Sequence, residues 1–385
     1  MLINNFCDKI DHSIEEKKNF VYYLIGNNGT GKSRILNTLS NSVVEKPHVT
    51  KSICISNTLY DKFKPLDKKE IYLGLRTVNN AIFFSAVEKT ICDLLLKCMK
   101  NKTLHLLEED LGIAFSIKLT KNEKKHQITT YFDNRKLKNN YLSNFLKEGD
   151  ENEIMSIAGQ IIKFDKLTEN QQNAINNFLT LNPNNLNLIS SKKGVKFTFE
   201  QLSSGEQNRI LLSAKILSYI CNDSVILIDE PEVSLHLHWQ VEFHKSLDSF
   251  IKKFEGVTVI IATHSPVIVS EGYKYDHSAA IIILESENNI SDEATQFIEI
   301  RDKSSKNFEG IVYDFFDTAT YRSVIVDEEI AKILCQITDE NRDISISKLN
   351  EIKEKVGNVK DTKEIIDDAI RIISQNKDIV KSDKE

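Results

Sequence analysis

Short apolar runs alternate along this chain with longer segments of helical period. Residues 20–25 are an uninterrupted β-favouring run and residues 34–39 follow with helical spacing, so a strand turning into a helix is predicted there. Residues 51–56 predict a second strand, and 78–100 a long, mostly apolar helix. Residues 112–118 and 127–132 alternate apolar and polar positions around the polar stretch 121–126, which predicts a hairpin. Residues 136–181 read as several helices, with a break at Gly149-Asp150 and a last helix over 167–181. Residues 195–199, 224–228 and 257–263 predict further strands, the last two apolar enough for the buried centre of a parallel sheet. A helix is predicted from 201–207 to about 221, strands at 279–284 and 294–300, and helices over 308–316 and 326–375. The chain contains neither an internal repeat nor a low-complexity tract.

Composition narrows the class. A chain of 385 residues with 41% hydrophobic residues can bury a large core. It contains no apolar run near the roughly 18 residues that span a bilayer, and its N-terminus carries no signal-peptide core. The expected protein is soluble and cytoplasmic, with no membrane partner. Six scattered cysteines without a C-x-x-C pair suit free thiols in a reducing compartment. The net charge of −6 argues against coating nucleic acid by bulk electrostatics. Residues 97–147 run the other way, with eleven Lys/Arg against five Asp/Glu. That excess is either the solvated face of an inserted lobe or a groove for a nucleic-acid backbone, and salt-dependent binding distinguishes the two.

Candidate chemistry begins where the first strand ends. Gly26, Asn27, Asn28, Gly29, Thr30, Gly31, Lys32 and Ser33 fill the phosphate-loop pattern G-x-x-x-x-G-K-[ST] at every fixed position, between a predicted strand and a helix that continues at Arg34. Glycines let backbone N–H groups curl round a phosphate and the helix N-terminus adds partial positive charge. Lys32 reaches the β and γ phosphates of a nucleotide, and Ser33 offers a hydroxyl to Mg²⁺. ATP and Mg²⁺ are therefore the expected cofactors. Ser203, Ser204, Gly205 and Glu206 open the helix after 195–199, where hydroxyls and N–H groups form a second anion site. The strand at 224–228 ends in Asp229-Glu230-Pro231-Glu232. At the C-terminal end of a central parallel strand, Asp229 suits Mg²⁺ and Glu230 suits a general base acting on water. His264 ends the next strand of the same sheet, where a catalytic or switch contact with the γ phosphate is expected, and Ser265 caps a helix opened by Pro266.

These features, in this order, resemble the ABC-type ATPases. Residues 26–33 match the Walker A loop, 202–207 the signature motif, 225–230 the Walker B strand, 234–236 the D-loop and His264 the switch histidine. Leu-Ser-Ser-Gly-Glu-Gln, Asp-Glu-Pro-Glu-Val-Ser-Leu-His and Ala-Thr-His-Ser-Pro are similar to the non-transporter branch. That branch includes SMC-like repair ATPases, overcoming-lysogenization-defect (OLD) nucleases and the ATPases of antiphage systems such as Septu and retron-associated modules. Residues 55–63 and 72–76 also resemble the last group. The resemblance implies an α/β P-loop NTPase fold of ABC-ATPase type with an inserted helical and β lobe and a helical C-terminal region. The expected divisions are 1–75 and 187–307 for the ATPase core, 76–186 for the insertion and 308–385 for the helical region, a docking surface for a partner.

It also implies a homodimer or higher homo-oligomer in which Lys32, Asp229, Glu230 and His264 act within one subunit, while Ser203 and Gly205 touch the γ phosphate held by the other. Some positions depart from the family pattern. Ser204 stands at the first signature glycine, the glutamine loop has only Asn57 or Thr58 as a stand-in, and Tyr22 and Tyr23 are the aromatics near the loop. No Asp-x-Asp pair occurs, so a nuclease in cis is not expected. His236, His238 and His244 read as ordinary helix residues. The expected function is an ATP-hydrolysing regulatory or sensor subunit of an antiphage complex that controls a separate effector such as a nuclease. The alternative is a stand-alone DNA-repair or recombination ATPase gripping nucleic acid through its basic insertion.

Overall fold

The computed structural model describes residues 2–26, 29–56, 62–64, 67–74, 84–119, 149–181, 186–233, 235–275, 280–286, 295–300, 324–338, 341–356 and 360–375. They form two compact units, Met1–Tyr23 with Gly31–Thr263, and Leu24–Thr30 with His264–Glu385.

The first unit opens with α1 (Leu2–Glu16), whose buried Phe6, Ile10, Ser13 and Ile14 recur at helical spacing. Strand β1 (Phe20–Gly26), divided between the units after Tyr23, is followed by α2 (Lys32–Val44), β2 (Lys51–Ser56) and β3 (Glu70–Leu73). Next come α3 (Phe84–Lys100), α4 (Leu104–Leu111), β4 (Ala114–Leu119), α5 (Asp150–Ile157), β5 (Ile161–Lys163) and α6 (Glu169–Leu181). The unit continues through β6 (Leu186–Lys192), β7 (Val195–Thr198), α7 (Ser204–Tyr219), β8 (Ser224–Asp229), α8 (Leu237–Ile251) and β9 (Thr258–Ala262).

Two sheets result. In the first, the strands run in the order β1-β9-β8-β2-β3, with β9, β8, β2 and β3 mutually parallel. Every residue of β8 and β9 is buried, as expected of central parallel strands covered on both faces. Their shared direction brings Ser56, Asp229 and Ala262 into line at one edge, through the pairs Ser56↔Asp229 and Asp229↔Ala262. That edge is the C-terminal one, where ligands bind in open α/β sheets. The second sheet is antiparallel, in the order β5-β4-β6-β7.

The hairpin predicted for 112–118 changes at this point. Strand β4 pairs with β6 from Ala114↔Ser191 to Leu119↔Leu186 and with β5 on its other edge. Both edges of β4 at Ser116, Ile117 and Lys118 are thereby occupied, and the other predicted arm, 127–132, lies outside the described residues. The alternation identified a strand; it carried no information about its partner. The helix predicted at 308–316 also lies outside the described residues.

The second unit holds α9 (Pro266–Tyr275), β10 (Ala280–Ser286) and β11 (Thr295–Ile300), the last two antiparallel from Ile281↔Ile300 to Ser286↔Thr295. It also holds α10 (Val324–Cys335), α11 (Arg342–Lys355) and α12 (Lys360–Gln375). These three helices share a core built on Val326, Ile330, Leu349, Ile352, Ile366 and Ile373. Among the described residues no helix is long and apolar enough to cross a membrane.

Candidate functional site

In the first unit the site is built from the start of α2 and the ends of β8 and β9. Gly31 precedes α2 with φ of 89°, in the left-handed region that glycine enters without steric cost, and its carbonyl accepts the Ile35 N–H at 2.9 Å. The turn delivers Lys32 and Ser33 to the edge where β8 ends. Ser33 Oγ donates to Asp229 Oδ1 at 3.1 Å. Asp229 is 2% exposed and Lys32 6%. Burial holds the Lys32 ammonium below its ordinary pKa, while the Glu230, Asp229 and Glu232 carboxylates oppose that shift. One ammonium therefore shares this pocket with three carboxylates.

Glu230 sits at φ of 50°, a left-handed conformation unusual for a residue with a side chain. Its N–H donates to the Ala262 carbonyl at 2.9 Å, so the end of β9 fixes the turn. Strain of this kind concentrates at functional positions, where the surroundings over-determine the backbone. Thr263, fully buried, donates through Oγ1 to Glu232 Oε2 at 2.8 Å.

The signature residues make their own structure. Ser203 caps α7: its Oγ accepts the Glu206 N–H at 3.3 Å, and the Ser203 N–H donates to Glu206 Oε2 at 3.0 Å. This reciprocal capping box satisfies groups that a helix start otherwise leaves open. Ser203 and Ser204 remain exposed. Gly205 lies beside α8: a Cβ there would stand 3.6 Å from His236 Cβ and 3.8 Å from Trp239 Cδ1. Further along α7, the buried Lys215 donates to the Ser56 carbonyl at 3.2 Å, linking this helix to the C-terminal end of β2.

In the second unit, Gly26 has φ of 153°, and a Cβ there would meet the Leu284 carbonyl oxygen at 2.7 Å and Thr30 Oγ1 at 2.9 Å. That approach excludes any larger residue. Gly29 is exposed, Thr30 and His264 are half-buried, and the Ile268 N–H donates to Ser265 Oγ at 3.2 Å as α9 begins at Pro266.

The structure thus brings Lys32, Ser33, Asp229 and Glu230 together at one sheet edge and places Ser203, Ser204, Gly205 and Glu206 at the exposed start of α7. Arg34 is exposed on α2. Asn27, Asn28, Asn57, Thr58 and Ser234 lie outside the described residues. Tyr22 and Tyr23, the aromatics nearest the loop in sequence, are core residues, 2% and 0% exposed. The Tyr23 hydroxyl bonds His244 Nδ1 within that core. His236 caps α8, its Nδ1 accepting the His238 N–H at 3.4 Å. Sequence reasoning assigned no role to Glu232 or Thr263; the acidic run at 229–232 was the one available signal for the former. Ser33 and Asp229 offer a hydroxyl and a carboxylate oxygen on one side of the pocket, a donor pair that fits a hard cation such as Mg²⁺ completing its shell with water and phosphate.

Residues 100–270 match the family model described as "AAA domain, putative AbiEii toxin, Type IV TA system". The match takes in α7, Asp229, Glu230 and His264, and begins beyond the phosphate loop. The protein ea59 of Escherichia phage lambda is 35% identical over 71 residues, covering 18% of this chain and 13% of ea59. The lipoprotein-releasing system ATP-binding protein LolD of Ehrlichia ruminantium (strain Gardel) is 28% identical over 89 residues, covering 23% of this chain and 37% of LolD. The chain therefore spans well under half the length of these curated relatives. A solved SmcHead bound to the C-winged helix domain of ScpA aligns at 14% identity with a TM-score of 0.21, over 30% of this chain and 32% of that one. With its parallel sheet, phosphate loop and family match, the chain has the P-loop NTPase fold of ABC type.

Proposed function

We propose that this chain is an ATPase of ABC/SMC-like type that binds ATP with Mg²⁺, pairs head to tail with a second copy, and serves as the regulatory or sensor subunit of an antiphage complex. The effector it controls is a separate protein such as a nuclease. The observation that carries the ATPase reading is the meeting of buried Lys32 with Asp229 and Glu230, with Ser33 bonded to Asp229. On this reading residues 26–34 cradle the phosphates, Lys32 neutralises the β and γ oxygens, and Ser33 and Asp229 hold Mg²⁺. Glu230 takes the proton of the attacking water as its oxygen bonds to the γ phosphorus and the bridging bond to ADP breaks. Bound Mg²⁺ supplies charge neutralisation of the phosphate oxygens.

The exposed, self-capped tip at residues 203–206 supports the paired arrangement, because it fits a contact with the nucleotide of another copy. His264 is assigned the γ-phosphate switch. The core is then residues 1–75 and 187–307, the insertion 76–186 and the docking region 308–385. The defence role draws support from likeness to a family model described with a Type IV toxin–antitoxin system. Purified full-length chain should release phosphate from Mg-ATP and shift to a dimer on ATP. A chain that binds no nucleotide would end this reading. Co-purification from the native operon followed by mass spectrometry tests the effector, and recovery of the chain alone under ATP, ADP and nucleotide-free conditions counts against it.

A further inference from the structure

We propose that Arg209 is a positioning residue that joins the inserted helix α4 to the signature tip, setting how residues 203–206 are presented to the nucleotide of a second copy. The inference rests on the paired-site reading above and adds a component that reading does not contain.

Helix α4 ends at Leu111, with Gly112 as its left-handed cap at φ of 62°. Asp110 therefore stands in a last turn whose open carbonyls already carry partial negative charge, and a carboxylate there needs a counter-charge. Arg209 of α7 supplies it: Nη2 lies 3.2 Å from Asp110 Oδ2 and 3.3 Å from the Asp110 carbonyl oxygen. Ser246 of α8 donates to the other carboxylate oxygen, Oδ1, at 2.6 Å. The Arg209 and Asp110 side chains are only 15% and 11% exposed, so the pair is more than a solvated surface contact.

The guanidinium works on a second side as well. Its carbon lies 4.1 Å from the centre of the Trp239 ring, within the range of a cation–π contact. Trp239 in turn borders Gly205: its Cδ1 stands 3.8 Å from where a Cβ on that glycine would lie. Gly205 and Arg209 are four residues apart on α7 and share a face, so the indole that Arg209 holds also borders the signature glycine. Arg209 thus touches both Asp110 and Trp239, and the indole borders the backbone at Gly205, so the chain of neighbours crosses α4, α7 and α8. A displacement of α4 is thereby felt at the first turn of α7. An ion pair that merely stapled helices would need no guanidinium over the ring that borders Gly205.

The test uses full-length chains and trans-complementation. Arg209→Gln alone should lower turnover about ten-fold with nucleotide affinity unchanged, the scale of a single coupling contact. Mixed with Lys32→Ala, it should regain the turnover of a Ser203→Arg plus Lys32→Ala mixture, because the intact Lys32 site then faces an intact tip from the other subunit. Arg209→Lys, which keeps the charge and loses the flat guanidinium over the ring, should fall between wild type and Arg209→Gln. If the loss of Arg209 prevents folding, Arg209→Gln with Asp110→Asn removes both charges and is carried through the same mixing. Wild-type turnover by the Gln variant, or failure of its mixture where the Ser203→Arg control succeeds, overturns the positioning role. Failure of the control mixture itself removes the paired site and Arg209's role with it.

Discussion

The pocket around Lys32 and the tip at Ser203 are built on opposite principles. The first is buried, gathers three carboxylates about one ammonium, and places its groups at the aligned ends of parallel strands. The second is exposed and closes its own hydrogen bonds within a single helix turn. A pocket in which three carboxylates face one ammonium is suited to a cation arriving with its ligand. A tip whose bonds are already made holds its shape without a ligand and is free to meet another surface. On the proposed reading, the contrast separates a half that performs chemistry from a half that is presented.

The sharpest way to break that contrast is Glu230→Gln. If the chemistry belongs to the buried half, phosphate release should fall about 10²- to 10⁴-fold, the range for a removed general base, with ATP still bound and dimers trapped on a sizing column. Unchanged phosphate release would remove Glu230 from that role. Lys32→Ala should come next, weakening ATP binding by roughly 10- to 100-fold in calorimetry, the scale of a lost charge-assisted contact. Full affinity in that variant would mean that the ammonium does not meet the nucleotide. On the other side, Glu206→Ala removes half of the capping box and should cost about 0.5–2 kcal/mol in denaturant unfolding. A cost near zero would show that the tip does not depend on its own cap.

The smallest effect concerns pH. Glu88 of α3 is pushed up from 4.5 to about 7, first by burial and then by the Glu200 carboxylate just before the signature tip. The folded chain then holds a proton that the unfolded chain has released, so stability is fullest below about 4.5 and declines as pH rises towards about 7. Glu88→Gln should lose less melting temperature between pH 5 and pH 8 than wild type, by about a few degrees at most. Parallel melting curves for the two proteins would exclude Glu88 as the titrating group.

What the sequence revealed follows the locality of the chemistry. The helix cap at 203–206, the strand end at Asp229 and the left-handed turn at Gly31 were legible because each is contiguous and its geometry is local. The pairing of Thr263 with Glu232, of Arg209 with Asp110 and of Lys215 with Ser56 was not legible, because each joins distant parts of the chain and no period records it. Strand β4 teaches the same lesson at the level of the sheet: alternation marked its faces, and the fold chose β6 as its partner. Tyr22 and Tyr23 stood close to the loop in sequence yet point into the core, since β1 is buried through its whole centre.

The left-handed backbone at Glu230 has a consequence for how this protein can evolve. A side chain held at φ of 50° gives up roughly 1–2 kcal/mol that glycine would recover. A population selected for heat resistance alone should therefore drift towards glycine or asparagine at position 230. Selection for turnover should return it to glutamate, and the residue found there reports which pressure a lineage has been under.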